Sequence, residues 1–344
     1  MMPDRSPAAR RSPLRRIGIT TTIPSELIWA AGAVPVDLNN LFITSPRRLE
    51  FIRHAEREGY PRNVCSWIKG IYGVLAETPD IRTVIAVTQG DCSNTHALME
   101  TLALKGIETI PFAFPYDRSP DMLAREIGTL AEKLGTTVEA AHGMFRTLDP
   151  IREMLDRLDD MTWRDNLVSG GENHQWLVSA SDFNGDTVEF GSRLAAFLEQ
   201  ASRRAPLAAP VRLAYIGVPP VFDDLYEVIE ANGARVVFNE VQRQFSQPDR
   251  AGGLVERYLA YTYPYDIFHR LGYIEAELER RNVQGIIHYA HSFCHRHIQD
   301  LVIRKRVCLP VLTIEGETPG TVDERTGIRL QAFIEMLAAG LSEP

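Results

Sequence analysis

The sequence predicts an α/β protein with two doubly wound, mainly parallel sheets and a helical segment between them. Three observations support this fold class. Residues 83–87 (TVIAV) form a short β-branched run typical of a buried parallel strand. Residues 18–37 follow a strand–helix–strand pattern. Residues 83–112 can be laid beside residues 285–312, because each stretch reads as strand, loop, cysteine, helix and strand.

The N-terminal α/β domain is predicted over residues 17–120. In its first unit, Ser25 is placed to cap a short helix, Glu26 lies in the positive first turn, and Gly32 is placed to end that helix. The later elements are a strand from residue 34, a helix from Cys65 towards Gly73, a strand over 83–87, a helix over 93–105 and a strand over 107–114.

A helical segment is predicted over residues 121–204. Its clearest part is the amphipathic stretch 137–161, whose apolar residues are spaced for one helix face and in which Pro150 is expected to interrupt or kink the helix. Residues 203–210 (RRAPLAAP) read as a linker to the second domain.

The C-terminal α/β domain is predicted over residues 205–344. Its expected strands are 212–217, 235–238, 285–289 and 309–314, and its expected helices are 222–231, 274–281, 294–306 and 322–337. The repeat places Cys294 eight residues after Ile286, as Cys92 is placed eight residues after Val84.

Size and composition restrict the possible functions. A chain of 344 residues suggests about two domains, and a net charge of −8 argues against a general nucleic-acid binder. No apolar run reaches the roughly 18 residues that a membrane span needs. Residues 1–16 hold five arginines and lack the apolar core of a secretory signal. We therefore expect a disordered tail over 1–16 and a cytoplasmic protein without nucleic-acid or membrane partners.

Three of the four cysteines lie at positions in the predicted fold where they could bind a metal cluster. Ligands of open α/β sheets bind beyond the carboxyl ends of the strands, where Cys92 and Cys294 should both lie. Each begins a predicted helix, whose dipole and free N–H groups would stabilise the thiolate that binds iron. Cys65, near another helix start, could supply a third ligand of an iron–sulfur cluster with one open iron, although the compact ferredoxin spacing is absent. Cys308 precedes a buried strand entry and is predicted to be buried as a small hydrophobe.

Several histidines lie near Cys294, so zinc is the alternative metal. No standard zinc spacing is present, and histidines that alternate between a strand and a helix start cannot all converge. One or two of them could donate protons or orient a substrate, and ordinary polar lining is the other interpretation. The histidines are His288, His291, His295 and His297. P-loop and dinucleotide-binding motifs are absent from the sequence.

A series of segments carries a family resemblance: residues 24–35 (PSELIWAAGAVP), the helix at Cys65, Gly90-Asp91-Cys92, Ser292-Phe293-Cys294, residues 309–317 (LPVLTIEGE) and residues 325–337 (RTGIRLQAFIEML). In this order, and with the three cysteines, they resemble the 2-hydroxyglutaryl-CoA dehydratase component D family, which also includes benzoyl-CoA reductase subunits. The resemblance runs from about residue 17 to 340.

This resemblance implies two Rossmann-like domains with helical additions. It also implies a [4Fe–4S] cluster held by three cysteines, which match Cys65, Cys92 and Cys294 here. Family members form dimers of homologous subunits and receive a low-potential electron from a separate ATP-hydrolysing iron–sulfur activator protein. The dehydratases remove water from a 2-hydroxyacyl-CoA through a ketyl radical, and relatives reduce aromatic acyl-CoA rings. We therefore expect an oxygen-sensitive lyase or oxidoreductase subunit that acts on an acyl-CoA, in a homo- or heterodimer.

A carboxylate or a histidine would be needed to move a proton, and the candidates are His96, His291, His295 and Glu26. Glu26 is also explained as a structural acid of a first helical turn. Two alternatives remain open, namely reduction of a small non-CoA substrate at the same cluster and a non-catalytic electron-transfer subunit. An open cleft with arginines at its mouth would favour acyl-CoA, a small closed pocket would favour a small substrate, and a cluster near a dimer face without a pocket would favour electron transfer.

Overall fold

Two four-stranded sheets form the framework of the computed structural model, which describes residues 14–208 and 210–341. The strands are β1 (Arg16–Ile19), β2 (Val34–Asp37), β3 (Ile81–Gln89), β4 (Glu108–Ala113), β5 (Val211–Gly217), β6 (Ala234–Asn239), β7 (Gly285–His291) and β8 (Val311–Gly316). Their orders are β2-β1-β3-β4 and β6-β5-β7-β8, and every strand pair is parallel. The predicted pair of Rossmann-like domains is confirmed, since the two orders are equivalent.

Helices flank both sheets and fill the segment between them. They are α1 (Ser25–Ala30), α2 (Leu38–Thr44), α3 (Arg48–Arg57), α4 (Ser66–Glu77), α5 (Thr95–Ala103), α6 (Pro120–Leu134), α7 (Val138–Gly143), α8 (Phe145–Trp163), α9 (Gly170–Val178), α10 (Thr187–Ala201), α11 (Leu225–Ala231), α12 (Glu240–Phe245), α13 (Leu254–Ala260), α14 (Ile267–Arg280), α15 (Asp300–Arg306) and α16 (Glu324–Leu341). Short 3₁₀ turns cover Ser179–Ser181, Phe183–Gly185 and His295–Gln299. The predicted helical segment therefore corresponds to α6 to α10.

The first strand–helix–strand unit forms as predicted, with one correction. Gly32 lies just after the C-cap of α1, Ala31, and adopts the left-handed conformation (φ 68°). Its N–H donates to the carbonyl of Trp29. A residue with a side chain is strained in that conformation. The prediction that Ser25 caps α1 is wrong, because Ser25 is already helical and Pro24 takes the cap position without a side-chain hydrogen bond.

The amphipathic stretch 137–161 forms two helices instead of one. Thr137 caps α7 through its side chain, and the break lies at Met144, between α7 and α8. The predicted interruption at Pro150 is not observed, because α8 continues through it. Pro150 removes the one backbone hydrogen bond that the carbonyl of Arg146 would otherwise accept, and the helix on both sides of it remains.

The N-terminal core includes residues that lie late in the chain. α13 and the loop after it pack on one face of the N-terminal sheet, where Tyr258, Tyr261 and Tyr263 join Ile85 and Phe112 in one buried cluster. This packing closes the two halves of the chain against each other. It also means that residues from the predicted C-terminal domain complete the N-terminal core.

The predicted linker and tail lie at the limits of the described residues. Residues 205–208 have no helix or strand, and residue 209 is outside the described part of the chain. Residues 1–13 of the predicted tail are also outside it, whereas Arg16 is the first residue of β1.

Candidate functional site

Two of the three predicted cysteines, Cys92 and Cys294, follow sharp turns of the chain. Cys92 lies three residues after β3 ends, and Cys294 lies three residues after β7 ends, at equivalent positions of the two sheets. Each turn contains a left-handed residue, Gly90 (φ 100°) or Phe293 (φ 64°). A Cβ atom at Gly90 would lie 2.7 Å from Pro264, so this turn needs glycine on steric grounds as well.

These turns bring the cysteines to a common cavity of about 140 Å³ between the two halves of the chain. Cys65, at the start of α4, lines the cavity together with Cys92 and Cys294. The apolar wall includes Trp67, Ile68, Ile71, Val218, Pro219, Pro220 and Phe245, and the polar wall includes Asp37, Asp91, His174, His291, His295 and Arg296. The cavity therefore combines three thiols with a mostly apolar wall.

Burial determines the protonation of these thiols. It raises the pKa of Cys65 to about 12 and that of Cys92 to about 12, and it raises the pKa of Cys294 as well. Backbone N–H groups at the helix starts lower these pKa values, but their effect is smaller than that of burial. The expected stabilisation of thiolates by helix starts is therefore outweighed, because desolvation penalises a charge inside the cavity. The negative charge of Cys294 also raises the pKa of Cys65 and of Cys92, which places the three groups in one electrostatic environment.

His291 contacts one of the cysteines directly. Its Nδ1 lies 3.5 Å from Cys65 Sγ and 2.7 Å from the carbonyl oxygen of Ser292. Its Nε2 lies 2.7 Å from Ser66 Oγ. Burial lowers the pKa of His291. These contacts fix the orientation of the ring beside Cys65.

Arg296 supplies a buried positive charge at the same cavity. Its guanidinium donates to the carbonyl oxygens of Gly90 and Tyr263 and stacks on the Tyr263 ring, 4.3 Å from the ring centre. The Tyr263 hydroxyl donates to Asp91, whose pKa is raised by burial although Arg296 lowers it. The positive charge of Arg296 lowers the pKa of Cys294 and so favours its thiolate.

The other histidines are dispersed, as the alternating pattern predicted. His295 lines the cavity, and burial and the nearby arginines lower its pKa. His288 instead lies 2.8 Å from Asp300. His96 does not line the cavity, and its Nε2 lies 3.1 Å from the carbonyl oxygen of Thr88 on the protein surface. His96 is therefore poorly placed for the proton transfer that we expected of it.

Glu26 is buried away from the cysteine cavity. Its carboxylate pairs with Arg152 at 2.8 Å and accepts a hydrogen bond of 3.0 Å from the Tyr258 hydroxyl. All of these groups are buried. The structural explanation of Glu26 thus fits its position, and the catalytic one does not.

The prediction that Cys308 is buried is wrong. The side chain is exposed, not buried. It lies in the turn between α15 and β8, and β8 is an edge strand of its sheet. Apolar strand residues follow it, but the turn itself faces solvent.

A second cavity, of about 820 Å³, adjoins the cysteine cavity. Both cavities are lined by Asp37, Asn40, Ile43, His174 and Val178, and we call these residues the shared wall. The outer cavity is also lined by Arg16 and Asp182. Sequence reasoning overlooked the acids of this region, although Asp37 ends β2, where the rule on the carboxyl ends of strands would have found it. Nothing in the local sequence marks Asp182.

Two absences within the described residues concern metal ions and membranes. Among the residues that the structure describes, no three His, Cys, Asp or Glu side chains are arranged to hold one metal ion. Within the same residues, no helix combines the length and the apolar character that crossing a membrane requires.

Comparison with known families matches residues 20–337 to the 2-hydroxyglutaryl-CoA dehydratase, D-component, family. The chain belongs to this family. No curated protein matches the sequence significantly. Since the match covers nearly the whole chain, the protein is a subunit of the 2-hydroxyacyl-CoA dehydratase type, and partner proteins are expected for a component of a multi-subunit enzyme.

Proposed function

We propose that this D-component family member holds a [4Fe–4S] cluster through Cys65, Cys92 and Cys294 and acts on an acyl-CoA. The observation that carries the proposal is the meeting of these three cysteines, from both halves of the chain, at one cavity. Membership of the family supports dehydration as the reaction, and ring reduction by the same type of site is the related possibility.

The donor set suits such a cluster. Cysteine thiolates are the usual ligands of iron–sulfur clusters, and each thiolate binds a different iron, so the three sulfur atoms need not converge on one point. Burial holds these groups as thiols, and binding of iron would release their protons. Arg296, buried beside Cys294, would offset part of the negative charge that the thiolates bring.

The surroundings suit a protected reaction. When bound, the cluster would supply a Lewis-acidic iron and a low-potential electron. Trp67, Ile68 and Ile71 form an apolar wall that would exclude water from the reacting atoms. The shared wall would orient the acyl group as it passes from the outer cavity towards the cysteines.

The size of the outer cavity favours acyl-CoA over a small substrate. It encloses about 820 Å³, within the range of pockets for sizeable ligands, and Arg16 lies on its wall. Phosphate groups are anions, and an arginine is a suitable partner for them. The guanidinium of Arg16 pairs with Asp80 at 2.6 Å, so a phosphate would compete with this carboxylate. A non-catalytic electron-transfer subunit would have no need of these adjoining cavities. We propose two protein partners as well: an activator protein that hydrolyses ATP and supplies the electron, and a homologous subunit that forms the dimer.

The first experiment measures the metal. The protein is purified without oxygen, and iron, sulfide and zinc are quantified beside an electron paramagnetic resonance spectrum of the reduced protein. Cys92→Ala is compared with Cys308→Ala, since Cys308 is exposed and away from the cavity. We expect about four irons and four sulfides for the intact protein and for Cys308→Ala, as a [4Fe–4S] cluster requires, and loss of the cluster in Cys92→Ala. Stoichiometric zinc, or no metal in fresh anaerobic protein, would refute the proposal.

A second experiment tests the substrate. The cluster-loaded protein is reduced with titanium(III) citrate and incubated with 2-hydroxyglutaryl-CoA, and the loss of water is followed by mass spectrometry. Formation of the unsaturated acyl-CoA supports the proposed reaction. Cluster-loaded protein that neither binds nor converts this acyl-CoA, while free 2-hydroxyglutarate is converted, would favour the small-substrate alternative.

A further inference from the structure

Two buried acids lie where the cavities meet. Asp37 lines both cavities, and Asp182 lines the outer one. The two are joined by a hydrogen bond of 2.7 Å, in which the backbone N–H of Asp37 donates to Asp182 Oδ2. The other oxygen of Asp182 accepts from the backbone N–H of Asn184 at 2.9 Å. Asp37 therefore lines the cysteine cavity and contacts Asp182 through its backbone N–H, while its own carboxylate accepts from Asn39.

The cysteine cavity also contains polar groups that lack partners. Thr95 is fully buried, lines the cavity, and its hydroxyl has no hydrogen-bond partner within the described residues. The indole N–H of Trp67, on the same wall, is likewise without a partner in the described part of the chain. Buried donors without partners are costly, so a ligand with oxygen atoms is expected to satisfy them.

The charges around the acid pair favour a single proton on it. Burial and the negative charge of Asp37 raise the pKa of Asp182 to about 7. Burial also raises the pKa of Asp37, although hydrogen bonds from Ser181 and Asn39 lower it. The negative charge of Asp37 thus favours retention of a proton by Asp182. The other titratable groups that face the pair from neighbouring elements are Arg16, Asp91, His174 and Tyr261.

We propose that Asp37 is the catalytic carboxylate that exchanges a proton with the substrate, and that Asp182 is its positioning residue. This inference rests on the proposed dehydration. Asp37 is the acid of the pair that lines the cysteine cavity, where the reacting carbons would lie. The other acid and the histidines that line it within the described residues are Asp91, His174, His291 and His295, and Asp91 is already engaged by the Tyr263 hydroxyl.

The proton balance of the step is complete with Asp37 alone. Removing water breaks a C–H bond and a C–O bond on adjacent carbons. Asp37 takes the proton of the C–H bond, and the electron pair of that bond forms the carbon–carbon double bond. The electron pair of the C–O bond leaves with the hydroxide, which receives the proton from Asp37 and becomes water. Asp37 ends as a carboxylate, and no net oxidation or reduction occurs in this exchange.

The variant Asp37→Asn removes the carboxylate that would exchange the proton but keeps a side chain that can cap α2. Asp37 also caps α2 by accepting from the N–H of Asn39, and asparagine caps a helix as well as aspartate does. We expect normal iron content and thermal stability, KM for 2-hydroxyglutaryl-CoA within about threefold, and kcat lowered by about 100-fold or more, as for loss of a general base. The matched control is Asp186→Asn, which changes an exposed cap of α10 and should leave kcat unchanged.

Asp182→Asn tests the positioning role through the pH profile. In the wild type, ionisation of Asp182 above pH about 7 adds a second negative charge next to Asp37, which disfavours departure of a hydroxide from the neighbouring cavity, so kcat should fall there. The variant has no group to ionise, and this alkaline decrease should disappear. A residue with a purely structural role would lower activity equally at all pH values.

The pH dependence of the free energy of unfolding also reports the ionisation of Asp182, and it requires no enzymatic activity. A carboxyl whose pKa is raised in the folded state stabilises the fold below its unfolded pKa and loses that contribution as pH rises to the folded pKa. Relative to Asp182→Asn, the wild type should therefore lose stability between about pH 4 and pH 7.

The outcomes distinguish this inference from the proposed function. If Asp37→Asn retains the kcat of an active wild type, or if Asp182→Asn keeps the alkaline decrease, the inference is wrong and the dehydratase function stands. If cluster-loaded wild-type protein does not dehydrate the acyl-CoA, the proposed function fails and this inference fails with it.

Discussion

At the scale of single residues, burial decides what the chemical groups of this protein do. Cys65 and Cys92 are thiols with raised pKa values, although both lie next to helix starts that favour thiolates. The desolvation of a charge inside a protein exceeds the contribution of one or two backbone N–H groups. The same reasoning applies to Glu26, whose burial is tolerated because Arg152 and Tyr258 satisfy its carboxylate.

The pair of Glu26 and Arg152 gives a stability prediction. Arg152→Met should lower the free energy of unfolding by about 3–5 kcal/mol, because it leaves a buried carboxylate without its cation. Urea denaturation measures the change. Arg203→Met is the control, since Arg203 pairs with Glu199 on the surface and should cost less than about 1 kcal/mol. Equal losses in the two variants would contradict the importance of the buried pair.

At the scale of secondary-structure elements, the helix that carries Cys65 is held by close packing. α4 lies against α2 and α3, and glycines at positions 70 and 73 allow this approach. A Cβ atom at Gly73 would lie 2.5 Å from the backbone oxygen of Phe51, and one at Gly70 would overlap the ring of Phe42. The direction of α4, and with it the position of Cys65, therefore depends on the absence of two side chains.

Alanine substitutions test this packing. Gly73→Ala should lower the free energy of unfolding by about 1–3 kcal/mol or more, because α3 backbone must move. Gly128→Ala, in α6 with no atoms near its Cβ position, should instead raise it by about 0.5–1 kcal/mol through better helix propensity. Thermal and urea unfolding compare the two variants. If both alanine variants are more stable than the wild type, α4 has room for a methyl group at Gly73 and the proposed close packing is wrong.

At the scale of the whole molecule, the cavity joins the two halves of the chain. Cys65 and Cys92 come from the N-terminal half and Cys294 from the C-terminal half, and Tyr261 and Tyr263, after α13, pack into the N-terminal core next to this cavity. A cluster bound to all three cysteines would connect the halves at the carboxyl ends of both sheets.

Cluster removal should therefore reduce the stability of the whole chain. A ligand that binds only the folded state adds about 2.7 kcal/mol when it is present at 100 times its dissociation constant. We expect anaerobic, cluster-loaded protein to unfold at a higher temperature than protein treated with an iron chelator, as measured by circular dichroism. Cys308→Ala should show the same difference, whereas Cys294→Ala should show none. An unchanged midpoint after complete iron removal would argue against a cluster that bridges the halves.

Local sequence patterns predicted the eight strands, their duplicated order and the position of two cysteines after equivalent strands. These features follow from patterns within a few residues, such as β-branched runs, glycine turns and the spacing from Val84 to Cys92 and from Ile286 to Cys294. The family resemblance added Cys65 and the expected cluster, and the family itself is confirmed over residues 20–337.

Which residues contact one another and which are buried could be known from the folded structure alone. In the structure, Glu26 and His96 do not line the cysteine cavity, and Cys308 is exposed. Asp182, from the helical segment, contacts Asp37 at the end of β2. Sequence patterns report local conformation, whereas desolvation and long-range contacts depend on how distant segments pack. Asp37 and Asp182 are 145 positions apart, and no local pattern could indicate that they share a wall of one cavity.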